Sequence, residues 1–304
     1  MSSLIPNQFH FVFGLKEQNE PFHLAFYLCI ESCLQVNKPD KIFFYYHYEP
    51  FGRYWELLKE KITPVQMEFS PNPFQSKYKE QGAKEFSYAH HADFIRLEKL
   101  ISHGGIYADI DTIFVNTIPD HLYSKPFVLG REIDLYDPST KQSKPSLCNA
   151  FIMSPREAEF GVIWRREMEN AFDGSWSNHC TILPYELSQK YPDLIHIEPQ
   201  QSFFKHDYTP RGIYTLLQGC DSDYNGVISM HLWNHLWWSR WRRDFSSFHA
   251  GKLTEEHIRK VDTTYNLVAR RFLPETKKPL SVMEKLFRKN KAGLEAPKNV
   301  SLIS

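Results

Sequence analysis

The sequence has no surplus of charge, with 36 Lys and Arg against 36 Asp and Glu. A chain that tracks the phosphates of a nucleic acid normally carries a basic excess, so no nucleic-acid partner is expected. Long apolar runs are also missing. The best stretch, Phe22 to Ile30, contains His23 and has about half the length of a membrane-spanning helix. The opening residues show neither a basic start nor a long apolar segment, so no signal peptide is expected. Cysteine is scarce and odd in number: Cys29, Cys33, Cys148, Cys180 and Cys220. Cys29 and Cys33 lie four apart on one helix face, with no His or third Cys near them, and buried free thiols are the default there. These absences together suggest a cytoplasmic, reduced setting.

What is present is apolar and aromatic. Hydrophobic residues make up 42% of the chain and aromatics 15%, including 7 Trp and 16 Tyr. Such content supplies flat, amphipathic contact surfaces, which sugar-handling proteins use, although composition alone does not select that class. At 304 residues the chain has length for one large domain or two small ones and for a real core.

The first 130 residues alternate strand-like and helix-like stretches. Strands are predicted at Gln8–Phe13, Lys41–Tyr46 and Val65–Phe69, with helices over 20–36, 51–60 and 83–102. That alternation implies an α/β sheet with helices on its faces. A strand is predicted at 126–130. Helices follow at 156–172, 179–190 and 255–272, with an aromatic-dense segment from Val227 to Trp241. Residues 1–274 read as one domain and 275–304 as a basic tail. The tail's Val282, Leu286 and Phe287, beside Lys285, Arg288 and Lys289, suit a short amphipathic helix; a solvated tail or peripheral contact with a membrane surface are both open.

The stretch from Ala83 to Val115 carries the chemistry. At about 100° per residue, Phe86, Ala89, Asp93, Leu97 and Leu100 fall on one helical stripe. Asp93 therefore sits within an apolar face, where a carboxylate needs a fixed partner. Arg96 lies at the edge of that face and can supply one, as a structural pair or as part of a site. Gly104-Gly105 supplies the left-handed cap that ends the helix. The chain then delivers Asp109-Ile110-Asp111, whose carboxylates are expected on the same side of an extended chain. Like charges that close favour a hard divalent cation, Mg²⁺ or Mn²⁺, with substrate phosphates.

The run AxxADxxRxxxLxxxGGIYxDxD resembles the DxD sugar-binding region of glycosyltransferase family 32. Ile5-Pro6-Asn7 with His10, Cys148-Asn149-Ala150 to Pro155, and His231 to Trp237 resemble the family's outer motifs. Ala92 and Leu236 stand where relatives carry Ser. The resemblance implies a GT-A, Rossmann-like mixed sheet flanked by helices, with a helical, aromatic-rich C-terminal part. It also implies a retaining, metal-dependent transferase that moves a sugar from a UDP- or GDP-linked donor, of the kind used in polysaccharide biosynthesis. The acceptor would be a glycan, a lipid-linked glycan or a protein. On this resemblance Asp111 holds the cation, and Asp109 contacts the cation or the donor ribose. Asp93, Arg96 and Tyr107 bind the donor, and Asn149 lies near the donor sugar. His231, or else His235, completes the cation site. The family's reaction is often written as front-face attack in which the departing phosphate takes the acceptor proton, so no strong protein base is required. Trp233, Trp237, Trp238 and Trp241 fit acceptor stacking or core packing equally. Asp134 and Asp137, after the strand at 126–130, are candidates to meet the acceptor.

Two rivals remain open from sequence. Asp109-Ile110-Asp111-Thr112 also fits the DxDxT of haloacid-dehalogenase-like phosphatases, although Gly104-Gly105 interrupt the strand that should precede it. A non-catalytic sugar- or nucleotide-binding protein of the same fold is the other.

Overall fold

The computed structural model describes residues 3–68, 77, 87–137, 141–234 and 252–275. Its strands are β1 (Gln8–Val12), β2 (Lys41–Tyr46), β3 (Thr63–Gln66), β4 (Gly105–Ala108), β5 (Thr112–Phe114), β6 (Val128–Arg131), β7 (Leu135–Asp137), β8 (Gln142–Lys144), β9 (Leu147–Ser154), β10 (His196–Glu198) and β11 (Ser229–His231). The described α-helices are α1 (Leu24–Asn37), α2 (Arg53–Leu58), α3 (Ser87–His103), α4 (Glu159–Ala171), α5 (Leu183–Lys190), α6 (Gln200–Phe204), α7 (Pro210–Leu217), α8 (Glu255–Lys260) and α9 (Thr264–Ala269). Met1–Phe272 form one compact unit, and of the segment beyond it only residues 273–275 are described. The basic tail's proposed helix therefore lies outside the described residues. No described helix is long and apolar enough to cross a membrane.

Seven strands form one mixed sheet in the order β10-β6-β9-β4-β1-β2-β3. Strands β3, β2, β1 and β4 run parallel, and β9 runs antiparallel to both β4 and β6. The α/β expectation is met, with helices flanking a mixed sheet. Every residue of β9 is buried, as expected of a central strand covered on both faces. Against one face packs α4, whose Phe160, Trp164 and Met168 recur every four residues and meet Leu97 and Leu100 of α3. Each such side chain contributes about 1.5–3 kcal/mol by leaving water.

Sequence periodicity places most of these elements, and the differences have local causes. The helix expected over 255–272 is two helices, because Val261 turns extended and Thr263 caps a new start by accepting from the Asn266 backbone N–H. The helix over 179–190 opens as a π-turn at Asn178–Ile182, with Pro184 in the first turn of α5. Helix α2 is shorter than 51–60 and tightens into a 3₁₀ turn at Lys59–Lys61. The strand expected at Val65–Phe69 begins earlier, at Thr63. Within the aromatic segment, Ser229–His231 is a strand. Cys29 and Cys33 are buried free thiols on α1.

Candidate active site

Helix α3 ends at Gly104, whose backbone is left-handed (φ +67°) and whose N–H reaches the Leu100 carbonyl at 2.7 Å. Gly105 is also at positive φ, and a Cβ there would lie 2.4 Å from the Gln8 carbonyl oxygen. Only glycine lets the chain leave the helix and enter β4 so close to β1. His10 on β1 braces this hinge, with Nε2 2.8 Å from the Gly104 carbonyl and Nδ1 3.1 Å from the Tyr45 hydroxyl.

Past Ala108 the expected extended chain is replaced by a turn. The Thr112 N–H donates to the Asp109 carbonyl at 2.9 Å, so the DxD carboxylates converge through a tight reversal and not through strand alternation. The reversal leads into β5, which pairs antiparallel with β11 and sets His231 opposite Thr112. A residue far along the chain is thereby placed beside Asp111. His231 Nε2 lies 3.1 Å from Asp111 Oδ1 and 3.5 Å from Asp109 Oδ2. The Leu232 and Asn234 backbone N–H groups donate to the Asp111 carbonyl and to its Oδ2, at 2.9 and 2.8 Å. Trp233 between them holds a left-handed backbone (φ 54°) and packs its ring edge against the His231 imidazole. It is buried and donates Nε1–H to the His206 carbonyl, so it acts as scaffold for His231. His235, Trp237, Trp238 and Trp241 lie outside the described residues.

A second group forms around Arg96, which is buried on α3. Its guanidinium bridges Asp93 (3.0 Å) and Asp109 (3.2 Å), donates to the Asn149 carbonyl (2.7 Å), and stacks over the Tyr107 ring. That carbonyl is available because the β6–β9 register breaks: Leu129 pairs with Ile152 but Gly130 with Cys148, so β9 bulges at 149–151. The Asn149 side chain donates to Asp93 Oδ1 at 2.7 Å. His179 completes the group, its Nε2 2.9 Å from Asp93 Oδ2. An ionised carboxylate only accepts, so this nitrogen carries the proton. The Tyr107 hydroxyl donates to Asp109 Oδ1 at 2.7 Å.

The electrostatics follow from these contacts. Burial opposes ionisation of Asp93, yet Arg96 and His179 hold its pKa below the usual value. For Asp109, burial is likewise outweighed by Arg96, His231 and Tyr107. Burial would lower the pKa of His231, but Asp111 and Asp109 push it up to about 10. Arg96 offsets one of the charges of Asp93 and Asp109, and a protonated His231 offsets that of Asp111, which formally leaves one negative charge among them.

Asp109, Asp111 and His231 each offer a ligand atom within 4.8 Å of the others. The His231 Nε2 is buried and aligned for a hydrogen bond with neither carboxylate. Two converging carboxylates and an imidazole, whose proton a bound cation would displace, fit a divalent cation of the Mn²⁺ or Mg²⁺ type. Asp93, His179 and Cys180 also converge. There Arg96 already supplies the positive charge, and the Cys180 thiol donates to the Trp176 carbonyl.

Both groups line one cavity of about 750 Å³. Asp93, Arg96, Tyr107, Asp109, Asp111, Asn149 and His231 are thus all brought together. Asp134 is not among the lining residues and pairs with Arg131 at 3.0 Å; Asp137 ends β7. Sequence reasoning passed over His179 and Glu132. One histidine among 14 carries no local signal, and Glu132 would have needed knowledge of which way the chain turns after β6.

Residues 27–128 match the family model described as the glycosyltransferase sugar-binding region containing the DXD motif. Over 277 residues the chain is 26% identical to glucan organizing enzyme 1 of Cryptococcus neoformans var. grubii serotype A, covering 89% of this chain and 71% of that protein. Two solved structures are loosely similar. The PaToxG glycosyltransferase is 18% identical with a TM-score of 0.38, over 62% of this chain and 70% of that one. The galactosyltransferase LgtC, solved with donor and acceptor sugar analogues, is 12% identical with a TM-score of 0.46, over 89% and 98%. Likenesses that loose add nothing to the assignment, which rests on the matched region and the sequence relative. Residues 27–128 match a glycosyltransferase sugar-binding region, with the DxD turn toward the end of the match, and the chain is an enzyme of the transferase class.

Proposed function

We propose that the chain is a divalent-cation-dependent, retaining glycosyltransferase that moves a sugar from a UDP- or GDP-linked donor to a hydroxyl acceptor. The observation that carries this is the convergence of Asp109, Asp111 and His231 beside the Arg96 group in one cavity. A glycan acceptor is favoured because the curated relative is named for glucan. With transferase class established, neither the phosphatase nor the non-catalytic binding protein is retained.

Asp109, Asp111 and His231 would hold the cation, Mn²⁺ being favoured by the imidazole in the set. When bound, it supplies Lewis-acid stabilisation of the charge that develops on the departing diphosphate, worth several kcal/mol. Arg96 keeps Asp109 ionised and in place. Asp93 acts one step back, since Arg96, Asn149 and His179 occupy its oxygens, and it serves to fix Arg96 and the Asn149 side chain at the cavity wall. Tyr107 fixes the other side of Asp109 by its hydroxyl.

The test is a screen of UDP- and GDP-sugars with Mn²⁺, reading release of the nucleoside diphosphate. Release with one donor, abolished by EDTA and in Asp111→Ala, is the expected result. Failure of every nucleotide-sugar to bind overturns the proposal.

A further inference from the structure

Glu132 is a buried carboxylate with no role in either group. It follows β6, is 7% exposed, and lines the same cavity as the DxD turn. Among the described residues it has no ion-pair partner, and its neighbour Arg131 turns to Asp134. Ser146 and Cys148 stand beside it, both neutral; the Ser146 hydroxyl donates to the Ile133 carbonyl at 3.2 Å, and a thiol is a weak donor. Burial pushes its pKa up to about 7, with Ser146, Cys148 and His231 working against that rise.

A buried carboxyl normally persists because a cation or several strong donors stabilise it. A carboxylate has about four lone-pair sites, and with only weak or diverted donors beside it that capacity is left for a ligand in the cavity it lines. Position narrows what can use it. Glu132 lies within electrostatic reach of His231 and of Tyr208, and Tyr208 stands edge-on to Trp233. A diphosphate would be repelled by a second anionic group and is met elsewhere by the cation ligands. A neutral hydroxyl, by contrast, can donate to the carboxylate while its sugar ring packs on Tyr208 and Leu135, which also line the cavity.

We infer, resting on the transferase reading above, that Glu132 receives the accepting hydroxyl and acts as the base of the transfer. The bond between the accepting oxygen and the donor's anomeric carbon forms as the bond from that carbon to the diphosphate oxygen breaks. The electron pair of the broken bond leaves with the diphosphate. The hydroxyl proton passes to the Glu132 carboxylate and from there to solvent. A base whose proton affinity matches neutral pH is the effective choice for such a step, with typical rate contributions of about 10²–10⁴-fold. The resemblance in sequence calls for no protein base, so this assigns a residue that the family motifs leave out.

Water serves as the accepting hydroxyl in the test, so no acceptor need be known. Nucleotide release is measured with UDP-glucose, UDP-galactose and GDP-mannose plus Mn²⁺, for the wild type, Glu132→Gln and Glu132→Asp. Binding of UDP or GDP with Mn²⁺ and the thermal midpoint are followed for each. The expected result is a kcat for Glu132→Gln at least about tenfold lower, with donor KM, nucleotide Kd and midpoint unchanged and Glu132→Asp intermediate. An unchanged kcat, or KM and Kd rising as kcat falls, overturns the base. If Glu132→Gln loses the fold, the same criteria apply to Glu132→Asp alone. A wild type that binds no UDP- or GDP-sugar overturns the transferase reading itself, and this inference falls with it.

Discussion

The two groups in the cleft are made of similar residues and are satisfied in opposite ways. Around Arg96 the charged groups are paired: Asp93 takes Arg96, Asn149 and His179, and the guanidinium takes two carboxylates and a carbonyl. Around Asp111, two carboxylates and an imidazole face one another at 3.1 and 3.5 Å, with the His231 Nε2 aligned for a hydrogen bond to neither. The first group spends its interactions on rigidity, and the second keeps them for a ligand. Arg96 touches both through Asp93 and Asp109, so the rigid group fixes half of the open one.

The sharpest way to break that contrast is Asp111→Asn. It keeps the shape and the oxygen that takes the Asn234 N–H but removes a cation ligand and a charge. Nucleotide release should fall at least about a thousandfold, some 4 kcal/mol on the barrier. The thermal midpoint should hold, yet fail to rise with added Mn²⁺ as the wild type's should. Arg96→Met should act on stability as well. It strands the buried Asp93 and should lower unfolding free energy by about 3 kcal/mol in urea titration, whether or not Mn²⁺ is present. Equal destabilisation by both substitutions would remove the distinction between the groups.

A smaller effect tests the hinge that serves both. Burial, with His103 and Lys99 nearby, lowers the His10 pKa from 6.5 to about 4, although its hydrogen bond to Gly104 opposes the shift. Folded protein therefore resists protonation that the unfolded chain accepts, and stability present above pH 6.5 is lost as pH falls toward 4. Between pH 6.5 and 5 that loss should come to about 1.5 kcal/mol, and His10→Gln should flatten this part of the stability curve. Least of all should be Tyr107→Phe, which removes one hydrogen bond to Asp109. About 1 kcal/mol of stability is expected to go, with a modest rise in the Mn²⁺ concentration needed for half-maximal rate.

Local pattern was enough to announce the centre of the site. The stripe through Asp93, the Gly-Gly cap and the DxD lie within one helix-to-strand passage, where periodicity and capping chemistry speak directly. Sequence also marked Arg96 as the partner of Asp93, but not its bridge to Asp109, because that needs the β4 turn in three dimensions. The turn itself was read as extended chain: two aspartates separated by one residue fit either geometry, and the Thr112-to-Asp109 hydrogen bond decides. His231 was reached through family resemblance; what places it is β11 pairing with β5, a long-range contact with no local signature. His179 and Glu132 were invisible for the same reason. Their importance lies in what stands across the cavity from them.

The pairing of β11 with β5 also sets an order of assembly. The sheet from β1 to β4, the helix α3 and the DxD turn are all synthesised before residue 112. The strand that brings His231, and the backbone N–H that Asn234 gives to Asp111, arrives 123 residues after that aspartate. At roughly 5–20 residues per second, the two carboxylates wait on the order of ten seconds beside an unpaired strand edge. The cluster of Asp109, Asp111 and His231 is thus closed late in the making of the domain. A product broken off before Ser229 would keep the DxD turn but lack the histidine that stands beside it.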